Sequence, residues 1–470
     1  MTRNALIIVL AVIWLAGCTM MPHYSRPEPP VPPGWPTGPA YAATREIQAA
    51  PLAADVGWRD FYTDARLQKV ITLALANNRD LRIAALNIER AQGLYRIQRA
   101  QLFPTVSAFG DLSAEKVASD LSMIGRSEIV RQYDLGVGVS AWELDFFGRI
   151  RSLKESALQQ YLATEQALRS ARISLMAQVA YAYMTLAADR DNLKLTHSTF
   201  TTRRSSFDLI ERRFKVGSSS ALDLRQAQTL LEAARADVAA FTRVVALDEN
   251  ALNLLVGAPV PADLLSEELD AISPPRDVSP GLSSEVLLRR PDIVQAENQL
   301  KAANANIGAA RAAFFPRVLL TGSLGGSSAR LAGLFEAGSG VWTFAPQITL
   351  PIFDTGSRLA GLAVAKADRD IYIAQYEKAI QTAFREVADA LAQRGTIDSQ
   401  LAAQEALVRA SEESYRLSNA RYTKGIDNYL NVLDAQRSLY AAQQGLISLR
   451  LARLGYLVTM YKVLGGGTQG

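Results

Sequence analysis

The sequence predicts a mixed α and β fold. Rod-length antiparallel helices pack as coiled coils, and short strands complete a membrane β-barrel only when several chains assemble. Three observations predict it. The chain repeats itself: RAQLFP at 99–104 returns as RAAFFP at 311–316, and RFKVGSSSALDLRQAQ at 213–228 returns as RYTKGIDNYLNVLDAQ at 421–436. A repeat this long means two similar structural units per chain, which suits quasi-symmetric walls around an axis more than a single cleft. After Gly148 the chain runs without Pro or Gly to Val216, and 356–423 has almost the same extent. Between the helices lie short segments in which apolar and polar residues alternate.

The N-terminus sets the compartment. Arg3 supplies a positive charge, Ala5 to Ala16 form a short apolar run, and Leu15-Ala16-Gly17-Cys18 follows. The run is too short to span a bilayer, which takes about 20 apolar residues, and it matches a signal-peptide core at 1–17. Small residues before a cysteine look like a bacterial lipobox, so cleavage before Cys18 and lipidation of that residue are expected. Cys18 is the only cysteine, which excludes an internal disulfide. Thr19, in place of an aspartate, fits sorting to the outer membrane. Residues 18–63 are expected as a lipidated tether and equatorial segment, with the Pro-rich part at 22–39 extended.

The first repeat is expected over 64–256. Asp64–Gln101 has apolar residues at helical spacing, Pro104 marks the passage into strand, and Gly148 opens the long helix to Lys215. In the strand, Tyr133, Leu135, Val137, Val139 and Ala141 share one face, against Asp134, Gly136, Gly138 and Ser140. Ser218–Val256 is the returning helix. Pro-rich residues 257–282 link the halves. The second repeat, 283–464, follows the same order: helix Ser283–Phe314, Pro316, strands, Gly356, helix Ser357–Thr423, and helix Asp427–Leu464. Trp342, Phe344, Ile348, Leu350 and Ile352 alternate with Thr343, Ala345, Gln347 and Thr349; Val318, Leu320 and Leu324 alternate less cleanly with Leu319, Thr321 and Ser323. Residues 465–470 form a tail. The loops near Lys116–Glu128 and Ser327–Gly340 are expected at an extracellular end.

An apolar/polar dyad is the pattern of a wall between lipid and water. No segment beyond the signal has 18 uninterrupted apolar residues, so a membrane crossing requires a closed β-barrel. Four strands per chain fall short of the usual minimum of about 8, and three copies supply about 12. Each of the longest helices spans about 100 Å and requires similar helices to pack on.

Chemistry is sparse. There are two histidines, His23 in the tether and His197 in a long helix, and no Cys/His ligand spacing. No Gly-rich phosphate loop follows a strand, and no nucleophile has an evident base. No enzyme and no cofactor is expected, beyond covalent lipid on Cys18. With 50 basic and 46 acidic residues the charge is nearly balanced, which argues against nucleic acid. Gly217 and Gly425 are positioned to end helices in the left-handed conformation, with Ser218–Ser220 and Asp427–Asn428 as caps for the returning helices.

The segments RRPDIVQAENQLKAANANIGAARAAFFP (289–316) and RYTKGIDNYLNVLDAQRSLYAAQ (421–443), with the lipobox, resemble the outer-membrane efflux proteins of the TolC-like superfamily, in the OprM/NodT lipoprotein branch. The resemblance covers essentially the whole mature chain. It implies a homotrimer in the outer membrane of a Gram-negative bacterium, with a 12-stranded barrel continuing into a periplasmic α-helical barrel. It implies a periplasmic adaptor and an inner-membrane pump, usually of the resistance-nodulation-division class, as partners. By this likeness the two glycine turns form the periplasmic tip, where Gly217, Ser218, Lys424 and Gly425 meet the adaptor. Leu430 makes an apolar constriction and Asp434, one turn away, a cation-selective ring. Arg437 can tie Asp434 to the neighbouring wall, and Tyr422 bonds Asp223 as a latch. Asp427 departs from relatives with a basic residue there, so it is expected to serve only as a cap. The implied function is passive export of small molecules. A structural or adaptor coiled-coil lipoprotein, or a secretion duct for peptides or proteins, is the alternative.

Overall fold

The computed structural model describes residues 19–41, 50–281 and 283–467. The segment 1–17 expected as a signal peptide, Cys18, expected to carry lipid, and residues 468–470 lie outside the described residues. The element order is α1 (Ala65–Asn77), α2 (Arg79–Ala100), β1 (Val106–Val117), β2 (Glu128–Leu144), α3 (Arg149–Lys215), α4 (Ala221–Val256), α5 (Pro291–Ala312), β3 (Arg317–Ser328), β4 (Gly340–Thr349), α6 (Ser357–Thr423) and α7 (Tyr429–Val463). Helix–strand–strand–helix–helix thus occurs twice. Helices α3 and α6 have 67 residues each. The described residues fall into two compact units, one within 1–28, 87–165 and 295–376, the other within 29–86, 166–294 and 377–470.

The first unit holds a four-stranded antiparallel sheet in the order β1-β2-β3-β4. Cross-strand partners lie on the same face, so the register shows which residues form each surface. Ala108, Val137, Leu324 and Trp342 form one row, and Val139, Gly322 and Phe344 the next. Past a register shift between Val139 and Trp142, the rows continue as Trp142, Leu320, Pro346 and then Leu144, Val318, Ile348. The opposite face carries Asp134 with Ser327, Ser323 with Thr343, and Glu143 with Leu319 and Gln347. Val137, Leu324, Trp342, Phe344 and Ile348 are all exposed in the single chain. This is the apolar surface expected of a lipid-facing wall.

Two expectations are corrected here. Ala141 does not continue the face of Val139. It sits in a β-bulge with φ of 52°, and the inserted residue moves the apolar series from odd to even positions. Leu350 and Ile352 fall beyond the end of β4.

Two segments expected as single helices are broken. Asn78 is extended (φ −61°, ψ 131°) between α1 and α2. Its Oδ1 accepts the Leu81 N–H at 2.9 Å, and its Nδ2 donates to the Leu255 carbonyl at 2.8 Å. The second break places a 3-10 helix, Ser284–Arg289, ahead of α5. Pro291 opens α5, where its missing N–H costs nothing, and it holds Arg290 extended. Arg290 is buried, and Asp292, Glu386 and the Val463 carbonyl (2.6 Å) compensate its charge.

The Pro-rich tether is extended but lies on helices. In the first unit the Met20 and Pro22 carbonyls accept from Arg311 and Asn304, and Arg26 forks onto Glu297 at 3.1 and 2.8 Å. In the second, Trp35 stacks on Phe384 at 5.4 Å and donates to the Gly281 carbonyl.

Candidate functional site

The two glycine turns lie in the second unit, and they are built alike. Gly217 has φ of 75° and Gly425 has φ of 71°. The Gly217 N–H donates to the Phe214 carbonyl at 2.9 Å and the Ser218 N–H to Arg213 at 2.8 Å. Gly425 donates to Tyr422 and Ile426 to Arg421, both at 2.9 Å. This pair of bonds satisfies carbonyls that a helix end would otherwise leave open, and it requires the left-handed residue. A serine hydroxyl reinforces the first turn, Ser218 Oγ donating to the Arg213 carbonyl at 3.1 Å.

The returning helices start on side-chain caps. Ser220 caps α4 in a reciprocal box: the Asp223 N–H donates to Ser220 Oγ at 3.0 Å, and the Ser220 N–H to Asp223 Oδ2 at 3.1 Å. Asn428 caps α7, accepting from the Asn431 N–H. Asp427 is therefore not the cap. Its carboxylate takes a two-pronged bond from Arg421, at 2.6 and 3.1 Å, which fastens the second turn. The guanidinium holds the Asp427 carboxyl below the usual carboxylate range.

Beneath the turns, Ile210, Ala227, Leu230, Tyr429, Val432 and Leu433 form a buried cluster, with Phe207, Leu224, Tyr415 and Tyr422 packed on it. Tyr429 and Tyr422 lie with ring centroids 5.1 Å apart, and the Arg213 guanidinium stands 5.1 Å from the Tyr422 ring. Burial, together with Tyr422 and Tyr415 beside it, pushes the Tyr429 hydroxyl up to about 12. Tyr429, Val432, Leu433 and Gln436 occupy the buried face of α7. Leu430, Asp434 and Arg437 occupy the opposite, exposed face, as their spacing requires. Leu430 is 44% exposed, high for a leucine flanked by core residues. Arg437 Nη1 reaches Asp434 Oδ1 at 3.4 Å on the same helix, so within one chain it pairs along α7.

The pair read as a latch, Tyr422 and Asp223, is not joined within the chain. Asp223 is committed to the Ser219 hydroxyl and the Ser220 N–H, and Tyr422 acts through its ring. Lys424, Gly217, Ser218 and Gly425 are all exposed at the turns. Sequence reasoning missed Val216, 77% exposed, and Ile426, 58% exposed, which set apolar side chains beside the two glycines. An apolar residue adjoining a turn glycine, present in both repeats, was the available signal.

A sheet with one apolar face, joined in sequence to rod-length helices that return through capped glycine turns, is the wall of a membrane channel. The chain belongs to the outer membrane efflux protein family, whose model matches residues 70–258 and 282–466. It is 51% identical over 468 residues to the toluene efflux pump outer membrane protein TtgC of Pseudomonas putida, covering 99% of this chain and 96% of that one. It is 44% identical over 470 residues to outer membrane protein OprJ of Pseudomonas aeruginosa, covering 99% and 95%. The open state of the MtrE outer membrane channel of Neisseria gonorrhoeae matches with a TM-score of 0.85 and 40% identity, over 96% of this chain and 99% of that one. The protein is an outer-membrane efflux channel, an exit duct and not an enzyme.

Proposed function

We propose that three copies of this chain close one duct, with about twelve strands in the outer membrane and a periplasmic end narrowed at the glycine turns. The observation that carries this reading is the sheet. Its apolar face is kept in register through a bulge, and β1 and β4 each lack a second partner strand among the described residues. Open edges of this length are avoided by closure into a barrel.

Leu430 and Asp434 form the gate in this reading. Repeated around the axis, Leu430 makes an apolar ring that excludes hydrated solutes, and Asp434 a ring of carboxylates that favours cations. Arg437 limits the mutual repulsion of those carboxylates. A periplasmic adaptor docks at the turns, against Gly217, Ser218, Lys424 and Gly425. An inner-membrane pump of the resistance-nodulation-division class supplies the energy, and the lipid on Cys18 anchors the tether in the outer membrane. Toluene, named for one relative, supports a cargo of small, largely apolar molecules. Tyr422 and Asp223 serve the gate indirectly, through the packing and capping of the turns.

Disulfide trapping tests the assembly. In a Cys18→Ser background, with one cysteine introduced on β1 and one on β4, oxidation of cells should give a ladder on denaturing gels that ends at three chains. A ladder ending at two, or no ladder at any register, contradicts the closed trimer.

A further inference from the structure

The loop end of the sheet sorts its charges by face. The register of β1 on β2 is unbroken from the Val106–Val139 pair to the Val117–Glu128 pair, so alternation assigns each side chain to a surface. Leu112 and Tyr133 pair on the apolar face. Beyond them on that face come Ala114 with Arg131, then Lys116 with Ile129. The carboxylates of the same stretch take the other face: Asp111 with Asp134, Glu115 opposite Val130, and Glu128 opposite Val117. Both cations thus stand on the apolar side, and no acid of these strands stands there with them.

Lys116 and Arg131 are exposed, and neither has an ion pair or a side-chain hydrogen bond among the described residues. They are diagonal neighbours across the two strands, a spacing of about 7–8 Å, within reach of two long side chains. Like charges this close repel, and an anion held between them removes that cost. A guanidinium fork beside an ammonium suits the oxygens of a phosphate. Height on the wall identifies the source of that phosphate. Tyr133 is eleven residues from Leu144 along β2. With a rise of about 3.3 Å per residue and a tilt of about 40°, that is about 28 Å of height, against an apolar band of about 25 Å in such walls. Tyr133 therefore marks the upper edge of the band, where aromatic rings meet the membrane interface. Arg131 and Lys116 lie past it, at the level of the lipid headgroups.

We propose that Lys116 and Arg131 form a clamp on the outside of the wall that binds the phosphorylated headgroup of an outer-leaflet lipid. The clamp rests on the reading of the apolar face as the lipid side, with the β1–β2 loop at the exterior. A lipid fits where a free phosphate ion has only half the surface to use, since the same face continues below the cations through Leu112, Tyr133 and Leu135. The acids on the opposite face are left to the water-filled side, so headgroup phosphates meet cations alone.

The test is native mass spectrometry of the full-length protein in detergent, with lipid A carrying two phosphates or none. The wild type should keep the phosphorylated lipid on release from the micelle and retain the dephosphorylated one several-fold less. Lys116→Gln/Arg131→Gln should hold both lipids at that lower level, whereas Arg126→Gln, in the β1–β2 loop, should match the wild type. Equal retention of the two lipids by the wild type, or an unchanged preference in the double variant, overturns the proposal. Should the double variant fail to fold, the wild-type comparison decides alone. The same spectra count the chains, so a failure of the trimer is read separately from a failure of the clamp, which lies within one chain.

Discussion

Asp427 and Arg421 show how a single charge pair fastens a turn. Because Arg421 lowers the Asp427 pKa in the folded state, the pair stabilises the turn at pH above the ordinary carboxylate value of about 4 and is lost as pH falls through the lowered value. The Arg421 side chain is 54% exposed and that of Asp427 24%, so the contribution is small and salt-sensitive. Conductance recorded from pH 7 down to pH 3 should therefore rise at the acid end, and Asp427→Asn should already show the raised level at pH 7. Tyr429, one residue after the Asn428 cap, is a larger matter. It is 4% exposed within the cluster under both turns. Tyr429→Ala should cost about 3–5 kcal/mol by analogy with buried Phe→Ala changes. The loss should appear as faster hydrogen exchange at Ile210, Ala227 and Leu230, with the sheet unaffected. Of these residue details, the left-handed glycines were legible, since only that conformation suits a glycine between two helical patterns. The Asp223 assignment was not: Ser220-x-x-Asp223 is itself a capping signature, and the likeness to relatives drew attention away from it.

At the scale of elements, the sheet depends on close backbone approach. A side chain on Gly325 would place its Cβ 2.2 Å from the Leu135 carbonyl, whereas one on Gly110 would make ordinary contacts with the end of Leu135 at 3.5 Å and the Asp134 carbonyl at 3.9 Å. Gly325→Val should force β2 and β3 apart and abolish the folded oligomer on unheated gels, while Gly110→Ala should leave it intact. The strands themselves were legible from period-two alternation, and so were the long helices, because caps and apolar spacing agreed over dozens of residues. The bulge at Ala141 was not legible. One inserted residue reverses the parity of the pattern, and only the partner strand shows where this occurs. The breaks at Asn78 and Arg290 divide differently. Pro291 announced the second, but Asn78 breaks its helix through a bond to the distant Leu255 carbonyl, which local sequence does not contain.

Across the whole chain the two repeats supply the same turn with different chemistry. Leu222 and Leu430 are both exposed and stand at equivalent positions, but the equivalent of Asp434 is Gln226. A trimer therefore presents three carboxylates at this level, not six, and they come from the second repeat alone. In the gate reading Leu430 supplies the constriction, and three carboxylates at the Asp434 level repel one another less than six would. Single-channel conductance in planar bilayers tests it most directly, comparing the wild type with Leu430→Ala/Asp434→Ala. The expected result is a small, cation-preferring conductance in the wild type and a several-fold larger, less selective one in the variant. An unchanged conductance in the variant, with its oligomer intact, would place the constriction elsewhere and contradict the account.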